Sequence, residues 1–93
     1  MIINYKEFIL ESNPMEQYKH LFELKIEKEG ETKEGEPKKY TYTLAHGISL
    51  HSALDCIVKM QVAKDKEGET ISLKDYMKFI RQEYDYLKRT LNI

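Results

Sequence analysis

Leu21-Phe22-Glu23-Leu24-Lys25-Ile26-Glu27 is the stretch on which the fold turns. Phe22, Leu24 and Ile26 alternate with Glu23, Lys25 and Glu27, a period of two that suits a strand with one buried face and one wet face. A second alternating run follows at Tyr40-Thr41-Tyr42-Thr43-Leu44, with the aromatic and aliphatic positions on one side and two β-branched threonines on the other. Between the two runs, residues 29–39 hold two glycines, one proline and no apolar side chain. That composition predicts a flexible charged loop, and so a two-stranded antiparallel hairpin with a long tip. A lone hairpin is marginal in water, so its apolar face requires helices against it.

Downstream, the period changes to that of a helix. Ile48-Ser49-Leu50 and Ile71-Ser72-Leu73 each follow a glycine-bearing break and open an apolar run at helical spacing. Each Ser is a preferred N-cap, because its hydroxyl accepts a bond from an orphan amide of the first turn. Each preceding Ile stands where a hydrophobic staple fastens the entering chain. In the run from Leu50 to Lys64, Leu50, Ala53, Leu54, Ile57 and Met60 form the central stripe, widened by Cys56, Val58 and Ala63. The polar turn Asp65-Lys66-Glu67-Gly68-Glu69 ends it. From Leu73 to Leu91, the stripe is Leu73, Met77, Ile80, Tyr84, Leu87 and Leu91. The short connection predicts an antiparallel helix pair.

The first dozen residues read two ways. Asn4 stands three residues before Glu7, a capping-box spacing that predicts a short N-terminal helix with Phe8 and Ile9 facing inward. The second reading is a short strand of Ile2, Ile3 and Tyr5. Asn13-Pro14 then punctuates the chain, and Glu16 three residues after Asn13 predicts a brief helical turn through Tyr18. The expected architecture is a single α+β domain over residues 1–93, with a two-stranded hairpin packed on a C-terminal helix pair and a short helix in front.

Composition narrows the function classes. The 93 residues carry a net charge of −1 with 33% charged side chains, a balance that argues against a wholesale nucleic-acid or anionic-membrane binder. A single cysteine forms no internal disulfide, which points to a reducing, cytoplasmic setting. No stretch reaches the roughly 20 apolar residues that span a bilayer, and the N-terminus lacks the long apolar run of a signal peptide.

No catalytic constellation emerges. His46, His51 and Asp55 lie close in sequence, with His51 and Asp55 one helical turn apart, but zinc wants three or four converging ligands. Cys56 projects away from His51 on the same helix, so the bland reading holds: a locally paired His51–Asp55 and a Cys56 that packs as a small hydrophobe. Cys56 also lies mid-helix on an apolar flank, whereas a reactive thiol needs an electropositive, partly exposed setting. The carboxylates Glu29, Glu31, Glu34 and Glu36 fall in the charged loop, where nothing preorganises them. The expectation is a non-enzyme with no metal and no cofactor.

The last helix carries the surfaces of interest. Tyr76, Phe79 and Tyr86 widen its apolar arc to about half the circumference, where one packing interface needs roughly 100°. The excess is either consumed by packing within the chain or presented to a protein partner or a second copy, since Tyr and Phe are enriched at interfaces. Lys74, Lys78, Arg81 and Lys88 form a basic strip interrupted by Asp85. That strip is either a solvated face with Asp85 paired to Arg81, Lys88 or Arg89, or a contact for nucleic-acid phosphates. The small size, charge balance and order of elements are common among accessory and mobile-element proteins. The expected function is therefore a small inhibitor or adaptor that binds protein through the last helix, with nucleic-acid association as the alternative.

Overall fold

The computed structural model describes residues 1–92. It shows an α+β chain of four strands and two helices: β1 (Ile2–Tyr5), β2 (Phe8–Ser12), β3 (Leu21–Glu31), β4 (Pro37–Ser49), α1 (Leu50–Asp65) and α2 (Leu73–Leu91). A 3-10 turn, Glu16–Tyr18, lies between β2 and β3. The chain divides into two compact units, Met1–Ala53 with the whole sheet, and the part from Leu54 with most of α1 and all of α2.

The sheet has four antiparallel strands in the order β1-β2-β3-β4, not the two expected. The expected N-terminal helix does not form. Residues 2–12 make a hairpin instead, with Tyr5 opposite Phe8 across the two-residue turn Lys6-Glu7 and Lys6 at φ 51°. The Asn4–Glu7 capping box offers about 1 kcal/mol of local stabilisation. Against it stands pairing with β3, which sets Phe8 opposite Ile26 and Leu10 opposite Leu24. Tyr5, Phe8, Leu10, Phe22, Leu24 and Ile26 are all buried. Burial of that many large side chains, at roughly 1.5–3 kcal/mol each, outweighs one cap.

The charged segment 29–39 is also largely strand. β3 runs through Glu31 and β4 starts at Pro37, so only Thr32–Glu36 remains as the turn. Two backbone bonds close it, Thr32 N–H to Glu36 O and Gly35 N–H to Thr32 O, both at 2.9 Å. Gly30 is the residue that lets this arm pair closely: the Tyr40 ring lies over it, and a Cβ there would come within 2.7 Å of the ring.

Along β4 the alternation breaks twice. β4 spends three steps from Ile48 to Ala45 where β3 spends two from Phe22 to Leu24, then two steps from Ala45 to Thr43 where β3 spends one. Each extra residue is a bulge. Gly47, at φ 61°, takes the left-handed conformation that such a bulge favours. The result is that Ala45, not Leu44, stands opposite Leu24, and Leu44 is left exposed.

Both helix starts form as the sequence implies. Ser49 Oγ accepts from Ser52 N at 3.2 Å, and Ser72 Oγ accepts from Asp75 N at 3.1 Å. The Asn13 carboxamide accepts from Met15 N at 2.9 Å and leads into the expected turn through Tyr18. The face α1 buries is rotated from the expected stripe: Ala53, Leu54, Ile57, Val58, Gln61 and Val62 are buried, while Met60 is half-buried and Ala63 exposed. Gln61 meets its polar need within the helix, donating from Nε2 to Asp65 Oδ1 at 2.9 Å.

Candidate functional site

Most cations of this chain are engaged. Lys25 reaches Glu11 at 2.8 Å and Glu23 at 3.6 Å, and His46 Nδ1 lies 3.1 Å from Glu23. These side chains tie β2, β3 and β4 together on the outer face of the sheet. Glu11 and Glu23 stand directly opposite one another, a like-charge pair that would be destabilising alone. Its neighbours resolve it. The hydrogen bond from His46, helped by the charges of His46 and Lys25, holds the Glu23 carboxyl below its ordinary value, and the bond to Glu11 holds Lys25 above its own. Lys39 pairs with Glu27, and Lys59 with Asp55 at 2.9 Å. Asp55 therefore serves Lys59, one turn further along α1, and not His51 as its spacing had implied. That bond raises the Lys59 pKa.

Against this background the first three turns of α2 differ. Lys74, Lys78 and Arg81 are exposed and, among the described residues, have no carboxylate, carbonyl or ring partner. Asp85 pairs with none of Arg81, Lys88 and Arg89 through its carboxylate; its backbone carbonyl accepts from Arg89 Nε at 3.4 Å. Lys88, the fourth member of the expected strip, lies over the Tyr84 ring at 5.0 Å, so three cations of that strip remain unengaged among the described residues. Lys74 also sits in the first turn of α2, where the helix dipole disfavours a positive charge. Folding has no use for a cation there.

Between these cations lie Leu73 and Met77, one turn apart and 77% and 50% exposed. Together with Lys74, Asp75, Lys78 and Arg81 they line one shallow concavity. Sequence periodicity places Leu73 and Met77 on the core stripe of this helix. The structure turns Tyr76 and Phe79 inward in their place, both half-buried, with Lys66 Nζ 4.2 Å from the Phe79 ring centroid. Tyr86 stays 47% exposed. The aromatic flank is thus divided, Tyr76 and Phe79 drawn in and Tyr86 left out. The signal for the Leu73–Met77 patch was present as an apolar arc too wide for one interface, but not which half of it would be left over.

Other candidate chemistry is quiet. Cys56 is half-buried, with Sγ 3.8 Å from Met60 Sδ. Among the described residues no three His, Cys, Asp or Glu side chains come together as metal ligands, and no helix is long and apolar enough to cross a membrane. Comparison with protein-family models, curated proteins and solved structures gave no match.

Proposed function

We propose that the chain is a protein-binding module, an inhibitor or adaptor, that engages its partner through the exposed face of α2 formed by Leu73, Met77, Lys74, Lys78 and Arg81. The observation that carries this reading is the exposure of Leu73 and Met77 between three cations that no carboxylate among the described residues neutralises. Covering two such side chains is worth roughly 1.5–3 kcal/mol each, whereas exposed ion pairs contribute about 0–1 kcal/mol. The apolar pair therefore sets the affinity, and the cations set orientation and encounter rate for an acidic partner surface.

The second reading, binding of nucleic-acid phosphates by Lys74, Lys78 and Arg81, is favoured by their lack of partners but gives Leu73 and Met77 no part. Two variants separate the readings. Leu73→Ser with Met77→Ser should abolish capture of the protein partner, and Lys74→Glu with Lys78→Glu should slow its association. If instead duplex DNA or RNA is retained at low salt, released steeply as salt rises and indifferent to the serine pair, the protein-binding reading fails. The same serine pair leaving partner capture intact would also exclude this face.

A further inference from the structure

We propose that the open edge of β4 joins a second copy of this chain, β4 to β4 antiparallel about Thr41, so that the two sheets become one of eight strands. β4 ends the sheet order, and among the described residues no strand lies against its outer side. The bond from Thr32 N–H to Glu36 O sets the phase of the β3–β4 ladder. Stepping by two, Lys38, Tyr40 and Tyr42 turn their backbone groups toward Gly30, Lys28 and Ile26. Lys39, Thr41 and Thr43 therefore point their N–H and C=O groups outward. Thr41, Tyr42 and Thr43 are exposed, so nothing in the described chain covers this segment.

Natural edges are guarded by lysines, prolines and bulges. Here the guards stand at either end of the segment and leave its centre open. Pro37 lies before it and the bulges at Leu44 and Gly47 after it. The two lysines turn back onto their own protomer, Lys39 to Glu27 at 3.3 Å and Lys38 over the Tyr40 ring at 5.2 Å. Both ammonium groups are thus held by groups of their own protomer, Lys39 by a carboxylate and Lys38 by a ring face.

One register satisfies a second copy. With the two-fold axis at Thr41, Thr41 faces Thr41, Lys39 faces Thr43, and Tyr40 faces Tyr42 of the second copy. All outward backbone groups of Lys39, Thr41 and Thr43 are then bonded, and four tyrosines gather on one face, a favourable cross-strand arrangement. Moving the axis to Lys39 sets two lysines face to face and brings Pro37, which has no N–H, into a bonding position. Moving it to Thr43 drives the Leu44 bulge into the seam. The contact is isologous and closes on itself, and the remaining edge, β1, is only four residues long.

The test is sedimentation of the full chain over a concentration series, with disulfide trapping in a Cys56→Ser background. The wild type should approach twice the protomer mass as concentration rises. Thr41→Pro removes an outward N–H that β3 does not use, and should raise the dissociation constant at least tenfold. Thr41→Cys should cross-link to its own copy under mild oxidation, because paired residues at this kind of position lie about 5.5 Å apart; Thr43→Cys should not. Lys74→Glu with Lys78→Glu should leave self-association unchanged, which separates this interface from the proposed partner face on α2. A chain that stays at the protomer mass to about 1 mM overturns the proposal. So does equal cross-linking at Thr41 and Thr43, or self-association lost on reversing the α2 cations.

Discussion

The two helices open on the same three residues and the same bond, Ser hydroxyl to the amide three residues on, yet their surfaces serve opposite ends. α1 buries Ala53, Leu54, Ile57, Val58 and Val62, and even its buried amide, Gln61, is satisfied by Asp65 of the same helix. α2 buries Leu87 alone, half-buries Tyr76, Phe79 and Tyr84, and leaves Tyr86, Leu73 and Met77 exposed, the last two beside three cations. A cap decides where a helix begins and says nothing about what its faces do. The face is set by how much apolar arc the rest of the chain can cover, and α2 carries more than is covered.

The sharpest way to break this contrast is truncation. Ile57→Ala, at a position with no exposure, should cost about 2–5 kcal/mol in urea denaturation. Leu73→Ala should stay within about 0.5 kcal/mol, and a large loss at Leu73 would mean that the patch is structural. The shared feature predicts equality: Ser49→Ala and Ser72→Ala should each cost about 1 kcal/mol. A cap variant that mattered on one helix alone would show that the starts are not equivalent.

The smallest effect concerns charge. On the sheet the Glu23 carboxyl is held below its ordinary value of 4.5, chiefly by the His46 bond. A lowered folded pKa contributes stability that is present above the unfolded value and lost as pH falls through the folded one. Glu23→Gln should therefore flatten the decline of stability below about pH 4.5. Replacing Lys74, Lys78 and Arg81 by Gln should leave that acid limb unaltered, because those cations hold no carboxylate among the described residues.

Features with a local cause were legible in the chain. Ser49 and Ser72 cap through amides three residues away, Asn13 organises its own turn, and the Phe22/Leu24/Ile26 alternation is the face that β3 buries. What misled had a distant cause. Asn4–Glu7 matches a helix start, but residues 8–12 find partners at positions 22–26, and no local signal reports that pairing. Segment 29–39 has the composition of a loop, yet Gly30 accommodates the Tyr40 ring from the opposite strand and pairing extends to Glu31 and Pro37. Leu44 continues a perfect alternation and is nonetheless displaced, because two bulges shift the register against β3.

By itself, then, the sequence determined the α+β class, the starts of both helices, the break between them and the buried face of β3, all from interactions spanning a few residues or one period of hydropathy. Only the tertiary structure decided that the sheet has four strands, that β4 is an open edge, and that α2 turns Tyr76 and Phe79 inward while Leu73 and Met77 face out. Those outcomes depend on competition among apolar surfaces far apart in the chain, and the energy that settles it belongs to the packed arrangement, not to any one segment.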